Sequence, residues 1–431
     1  MNYTFSFTKQ NITNNTTKEI CFENPSDISY TFWNTGFLSS CEQEWPSNEA
    51  LDLLYISLAV FAADRLTLRS SGEDAWSRKI NLSIPVLSFR KFNNLKGLID
   101  DMLSFLTGDY WSIDFSPRDF TQKEITERNK FYKKRQKLQY RQLNTVCMFS
   151  GGLDSFIGAI DLLETTSNKD EIMFISHYGG GKGTKEYQDV LRSKFTDYYE
   201  LTENTFKQYY AKVINGAEDT TRSRSLLFFA HAIAVASTFN KEVKMIIPEN
   251  GYISLNIPLN YSRIGSSSTR TTHPYYMKML QNLLDKLGIS VKLVNPYQFK
   301  TKGEMIIDCK NQEFLKENIS FTMSCAHPDI GRYRGIKQSQ HCGYCLPCIV
   351  RQAAFKRAKI TDKSLYYDSS FSSGDEAKTI LKSYRLGFQK FNPKYAFMTI
   401  QQNGLIDNNI EAFTDLYVRG IQEIKAYIEE L

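Results

Sequence analysis

"FSGGLDSF" fills residues 149–156, after a short apolar run at 146–149 and before a segment, 155–165, whose apolar spacing predicts a helix. It reads as a turn from strand into helix. Gly151 and Gly152 let the backbone take positive φ and come close to an anion, and the free amides that open a helix add the positive end of its dipole. Ser150 and Ser155 offer hydroxyls, while Asp154 can cap the helix or help hold a magnesium ion against phosphate. Such a set suits a pyrophosphate. The competing reading is a tight turn in which Ser-Gly-Gly answers sterics and Asp154 only caps.

Strand-like runs at 146–149, 171–177, 206–213, 243–247 and 291–295 alternate with helical patterns at 155–165, 185–199, 223–239 and 274–287. The alternation predicts an α/β domain with a parallel sheet over 144–362, and in such a sheet ligands collect at the carboxyl ends of strands. Residues 1–117 combine a helix at 49–68 with a strand at 79–89 and read as an α+β N-terminal extension without visible catalytic chemistry. Residues 118–143 are a basic, glycine-free linker containing "RNKFYKKRQKLQYR" (128–141), which reads as a solvated face or as a contact for an anionic partner. Beyond it, 363–431 is a helical tail: a polar turn, "DSSFSSGDE" (368–376), then amphipathic helices at 376–388 and 409–431.

At 431 residues the chain exceeds one ordinary globular core. Its net charge of +6 is compatible with anionic substrates and too small to imply nucleic acid by itself. Residues 1–15 show no basic stretch followed by an apolar one, and no apolar run approaches the roughly 18 residues of a membrane span, so the expectation is a cytoplasmic protein without a membrane partner.

Of eight cysteines, Cys21, Cys41, Cys147 and Cys309 are scattered, whereas Cys325 is followed after sixteen residues by Cys342, Cys345 and Cys348 in a C-x2-C-x2-C run. Four thiolates satisfy tetrahedral zinc, the close trio forming a knuckle that Cys325 closes. Such a site is structural. His327 or His341 in place of one thiolate, a redox role for Cys342 or Cys345, and an iron–sulfur cluster share the same spacing. A decoy lies at "GGGKGT" (179–184): a Walker A loop needs Ser or Thr after its Lys, and Gly183 follows Lys182, so this reads as a flexible loop.

Ser-Gly-Gly-x-Asp-Ser after a first strand resembles the phosphate loop of the N-type ATP pyrophosphatases, the PP-loop superfamily of adenine nucleotide alpha hydrolase-like fold. The resemblance implies that ATP is cleaved between its α- and β-phosphates, with Ser150, Gly151, Gly152, Leu153, Asp154 and Ser155 holding the leaving pyrophosphate with Mg2+. "SC" followed by "CGYCLPCIVRQAAF" (342–355) resembles the zinc segment of the QueC family of 7-cyano-7-deazaguanine synthases, and "KTKGEMI" (300–306) its lysine-bearing segment. "RSLLF" (224–228) stands where that family has Arg-Asn. The likeness covers roughly 144–360 in the family's order. About 145 residues precede the loop here, and "PENGYISLNIPLNYSRIGSSSTRTTHP" (248–274) is longer than its counterpart. The whole pattern resembles the QueC-like proteins of anti-phage defence operons, the QatC type.

What the resemblance implies is an ATP-dependent ligase-like enzyme that adenylates a 7-carboxy-7-deazaguanine-type acid. The activated carbonyl then becomes a nitrile or amide, or passes to an amine of a partner protein of the same defence system. Asp154, Ser155, Arg224 and Lys302 are the expected catalytic residues, against a helix-end salt bridge for Arg224 and an exposed lysine for Lys302; His177 reads as facing the nucleotide or as a satisfied structural histidine. Glu249 and Asn250 would hydrogen-bond a guanine-like edge, and Arg270 and His273 would meet a carboxylate or phosphate; helix capping explains His273 as well. ATP and Mg2+ are the cofactors, and zinc on Cys325, Cys342, Cys345 and Cys348 is structural. Adenylation of tRNA or another acid, and a nucleotide-binding scaffold without turnover, are the rival functions.

Overall fold

The computed structural model describes residues 1–7, 16–22, 31–33, 43–135, 141–179, 182–213, 216–220, 222–239, 241–258 and 270–431. Outside them lie Cys41, residues 136–140 of the basic linker, Gly180 and Gly181 of "GGGKGT", and 259–269 of the long segment before Arg270.

The strands are β1 (Asn2–Ser6), β2 (Thr17–Cys21), β3 (Thr31–Trp33), β4 (Lys79–Val86), β5 (Tyr110–Pro117), β6 (Thr145–Met148), β7 (Ile172–Tyr178), β8 (Phe206–Val213), β9 (Val243–Ile246) and β10 (Val291–Val294). A six-stranded sheet runs β10-β9-β6-β7-β8-β3, parallel throughout except for β3 at its edge. β6 and β7 are apolar along their buried length because helices cover both faces. The chain builds outward from β6 through β7 to β8, then crosses to β9 and β10 on the other side. The order therefore reverses at the end of β6, where an open α/β sheet leaves its crevice. Residues 149–155 occupy that point.

On one face lie α5 (Leu153–Thr165) and α6 (Lys182–Tyr199), whose side chains meet the sheet in an aromatic cluster of Phe149, Phe156, Phe174, Phe195 and Phe206. α6 starts at Lys182, so the second half of "GGGKGT" is helix rather than loop. On the other face lies α7 (Arg224–Ala236). Against α7 packs α1 (Asn48–Leu66), buried from Ala50 to Asp64 because its sequence is apolar on every side.

The N-terminal sheet, ordered β2-β1-β4-β5, is parallel in every pairing, which corrects the α+β reading of 1–117 to α/β. The reason is the connection: β4 returns to β5 through α2 (Phe89–Asn94) and α3 (Lys96–Thr107), a crossover that only parallel neighbours require. This sheet and the larger one share a continuous core, from Tyr3 and Ile80 through α1 to Val146 and Ile233. The basic linker folds as α4 (Gln122–Arg135), with Phe131 against Trp45 and Arg135 paired to Glu44.

Downstream follow α8 (Gly251–Leu255), α9 (Pro274–Leu287), α10 (Lys302–Asp308), α11 (Gln312–Asn318) and α12 (Leu346–Ala358). The tail forms α13 (Asp375–Lys390), α14 (Ala396–Asn403), which the sequence pattern did not reveal, and α15 (Ile410–Ile428), which packs on α12. Among the described residues no helix is long and apolar enough to cross a membrane.

Candidate active site and metal centre

The loop turns on Gly151, at φ +82°, where a Cβ would press within 3.0 Å of the Gln188 side chain. Gln188, from α6, donates to the carbonyls of Ser150 and His177 and so pins the ends of β6 and β7 together. Ser150 Oγ accepts from the Gly152 amide and lies 3.1 Å from Ser155 Oγ. Phe156 N makes the first helical bond to Gly152 O. The Asp154 and Ser155 amides precede that bond at the positive end of α5, where no carbonyl of the helix itself can reach them.

A segment 171 residues later holds this loop from outside. Leu153 N donates to Ser324 Oγ at 3.1 Å, and Met323 N donates to Gly151 O at 2.9 Å. Ser324 directly precedes Cys325.

Asp154 does not cap its helix. Oδ1 pairs with Lys302 Nζ at 2.6 Å, both side chains being almost fully buried, and Oδ2 accepts from Asn250 N at 3.1 Å and Asn250 Nδ2 at 2.7 Å. Burial alone would raise the Asp154 carboxyl, but the Lys302 charge and hydrogen bonds from Glu249, Lys302 and Asn250 hold it below the usual carboxylate range. Burial and the neighbouring Asp154 charge push Glu249 well above that range, making it the protonated member of the pair. The ends of β6 and β9 and the start of α10 thus meet in one cluster.

Lys302 owes its place to its helix cap. Thr301 and Glu304 form a capping box at the start of α10. Glu423 of α15 accepts from Thr301 Oγ1 at 2.7 Å and Gly303 N at 3.1 Å. Arg357 bridges Glu423 and Glu304, at 3.2 and 2.8 Å. The tail therefore braces the lysine, a role that no local pattern in 409–431 signals.

The sulfur atoms of Cys325, Cys342, Cys345 and Cys348 all lie within 4.8 Å of one another. Two of the contacts, Cys325–Cys345 and Cys342–Cys348, are 3.9 Å. Tetrahedral zinc with bonds of about 2.3 Å sets its sulfurs about 3.8 Å apart, so the donor set fits a single ion. Amides of His327 and Cys342 donate to Cys325 Sγ, and that of Cys345 to Cys342 Sγ, as suits thiolates. His341 is not one of the four donors but borders them, its Nδ1 3.8 Å from Cys348 Sγ and its Nε2 3.2 Å from Thr322 O, and His327 is exposed. The knuckle requires Gly343, at φ +95°, because a Cβ there would sit 1.8 Å from Asp368 O.

Arg351, fully buried in α12, ties this knuckle to the loop. It donates to Thr322 Oγ1 at 2.6 Å, Ile319 O at 3.1 Å and Ser364 Oγ at 2.8 Å, and pairs with Asp362 at 3.0 Å. Thr322 lies two residues before Ser324. The basic residue in "IVRQAAF" is legible in the sequence; its partners are not.

Arg224 opens α7 and is exposed, near enough to His177 for its charge to act on the imidazole. His177 is the next-to-last residue of β7, buried beside Phe228 and His231, and burial first, then His231 and Arg224, hold it neutral. The N-terminal region reaches this corner. Asp64 of α1, itself paired to Arg78 at 2.5 Å, accepts from Ser223 Oγ at 2.5 Å and Ser223 N at 3.3 Å. Ser223 is the N-cap of α7.

Arg270 and His273 face elsewhere. Arg270 donates to Phe105 O and lies over the Phe105 ring, and His273 caps α9 by accepting from Tyr275 N while its ring edges Phe105. Their link to the cluster is indirect: Thr272 meets Ser254 at 3.0 Å, and Ser254 donates to Asn250 O.

No protein-family model matches the chain. Over 117 residues, 26% of this chain, it is 32% identical to the 7-cyano-7-deazaguanine synthase of Coxiella burnetii, in strains Dugway 5J108-111, RSA 331/Henzerling II and RSA 493/Nine Mile phase I alike. The matched stretch covers 47% of those enzymes, so the chain spans about half the length of the curated relatives it matches.

Proposed function

We propose that this chain is a QueC-like, ATP-dependent enzyme that transfers AMP to the carboxylate of a 7-deazaguanine-type substrate and releases pyrophosphate. The observation that carries the reading is the junction of Leu153 and Gly151 with Ser324 and Met323, which joins a phosphate-type loop to a four-cysteine knuckle. The partial likeness to 7-cyano-7-deazaguanine synthase supports the same chemistry.

A carboxylate resists attack because its leaving group is oxide. AMP transfer lets that oxygen leave as part of a phosphate, and the protein's work is to position the reactants and stabilise phosphate charge. In this reading the Asp154 and Ser155 amides and the hydroxyls of Ser150 and Ser155 receive the β- and γ-phosphates. Lys302, held at the loop by Asp154, stabilises charge between the α-phosphate and the leaving group. Arg224 approaches from the β8–α7 side and His177 borders the nucleoside. Mg2+, bound with ATP, would neutralise phosphate oxygens beside Asp154. Glu249 edges the substrate, while Asn250, buried with its side chain on Asp154, Glu249 and the Ile253 amide, positions it and has no free group for a guanine-like edge. Ammonia attacks the mixed anhydride and expels AMP to give the amide; a second AMP transfer, from a second ATP, to the amide oxygen followed by loss of AMP gives the nitrile, while an amine of a partner protein in the anti-phage setting that the resemblance implies would displace the first AMP to give a conjugate. Cys325, Cys342, Cys345 and Cys348 would hold zinc, which would supply structural order to the segment 322–348.

Incubation with ATP, Mg2+, ammonia and 7-carboxy-7-deazaguanine, followed by mass spectrometry of small molecules and of candidate protein acceptors, tests the proposal. AMP and pyrophosphate with an amide or nitrile, or a matching mass gain on a protein, are the expected products. ADP as the nucleotide product would sink it.

A further inference from the structure

From Ala377 to Ile406 the chain contains no Asp or Glu, yet it carries Lys378, Lys382, Arg385, Lys390 and Lys394. Thirty residues without an acid are unusual where charged residues make up 23% of the chain. All five cations are exposed. Lys378, Lys382 and Arg385 stand at i, i+4 and i+7 on α13, flanking the buried face of Ala377, Tyr384 and Phe388 about 100° round the helix. At 1.5 Å per residue they form a stripe about 10 Å long. Among the described residues these three and Lys394 enter no ion pair.

The same corner exposes large apolar side chains. Tyr395 is 60% exposed, Phe397 49%, Met398 54% and Leu386 51%. Neither the Tyr395 nor the Phe397 ring packs against another ring among the described residues. Both lie within a few residues of Lys394, where α13 turns into α14.

We infer that the α13–α14 corner is a binding face for single-stranded nucleic acid, its cations tracking phosphates and its two free rings stacking on bases. Cations interleaved with exposed aromatic faces suit a strand whose bases are unpaired. An acidic protein segment would use the cations and leave the protruding rings with no flat partner. The inference does not depend on the adenylation chemistry.

Fluorescence anisotropy of the full chain with labelled 20-nucleotide oligo-dT and oligo-U, between about 50 and 300 mM salt, tests it; the two arms separate DNA from RNA. Binding should weaken with log salt at a slope of about −3, as expected for roughly four phosphate contacts on a single strand. The triple variant Lys378→Gln, Lys382→Gln, Arg385→Gln should flatten that slope by about 2. Tyr395→Ala with Phe397→Ala should lower affinity at least fivefold with the slope unchanged. All five sites are exposed, and matched circular dichroism melts establish that the variants fold. No binding by the wild type, a wild-type slope in the triple variant, or binding of poly-glutamate in preference to both oligonucleotides would overturn the inference.

Discussion

The backbone amide of Leu153 donates to the hydroxyl of Ser324 across 3.1 Å, although 171 residues separate them in the chain. Through this bond the residue before the first cysteine of the four-thiol set reaches the first turn of the helix that carries Asp154. Ser324→Ala removes the acceptor and leaves the Leu153 amide without it. A typical hydrogen bond contributes about 1 kcal/mol, about fivefold in an equilibrium. Pyrophosphate release should show a KM for ATP raised several-fold, with zinc content by elemental analysis unchanged. An unaltered KM would remove the clamp from the account.

The donor set predicts one zinc per chain. Cys345→Ser should abolish stoichiometric zinc and lower the thermal midpoint strongly, since the energy of a structural site is folding energy. Nucleotide binding should fall with it, because the knuckle positions Ser324. Iron with a visible charge-transfer spectrum in the purified wild type would contradict zinc as the occupant, and acid-labile sulfide beside it would contradict a single-ion site.

Asp154 and Lys302 form a buried pair whose two simplest disruptions should differ. Asp154→Ala strands the ammonium and should cost about 3–5 kcal/mol of stability. Asp154→Asn keeps the shape and an acceptor for the lysine, so it should cost less while still abolishing AMP formation. Chemical denaturation and a pyrophosphate assay on both variants separate the roles. Equal stability of the two would show that the pair carries no structural weight.

Ser223 stands at the N-cap position of the Arg224 helix without a capping bond of its own, and is held there by Asp64, a residue of the N-terminal region that accepts from its hydroxyl and its amide. Ser223→Ala should therefore lower AMP formation several-fold with little effect on the melt, since the amide bond to Asp64 remains. Asp64→Ala leaves Arg78 short of a partner in the core and should destabilise the protein by about 3 kcal/mol or more. Kinetics of Ser223→Ala that match the wild type would detach the N-terminal region from the nucleotide site.

His231 and His273 are completely buried, and burial holds them down to about 4 and about 3, the Arg270 charge adding to it for His273. Both imidazoles are neutral in the folded chain and gain protons once it unfolds at a pH below about 6.5. The unfolded state then binds more protons, so the stability these groups contribute is present above about pH 6.5 and lost as pH falls toward 4. The slope is at most about 1.4 kcal/mol per pH unit for each histidine. Thermal midpoints should fall between pH 7 and pH 5, and His231→Gln with His273→Gln should flatten that dependence. A double variant with the wild-type pH profile would contradict it.

Much of the scaffold is legible in the sequence, and for definable reasons. The strands and helices of 144–295 follow from alternation of apolar runs with helical spacing, a local pattern. The turn at Gly151 and the four cysteines follow from backbone stereochemistry and ligand spacing, also local. The parallel order of the N-terminal sheet is not legible, because β1 and β2 are short and pairing direction depends on the path of the connection. Nor is α14, since eight residues show little more than two turns of periodicity.

The chain's sequence by itself determined a Ser-Gly-Gly-x-Asp-Ser loop after the first strand of a parallel sheet, a four-thiol set, and their order. Tertiary structure alone decided what that loop touches. Asn250, Lys302 and Ser324 reach it from segments 96 to 171 residues further along, and Ser223 finds its partner in a helix 159 residues earlier. Side-chain types are fixed by the chain, but a hydrogen bond forms only where the crossovers deliver donor and acceptor within about 3 Å. That delivery made Asp154 a partner for Lys302 instead of a helix cap, and turned Arg270 and His273 toward Phe105.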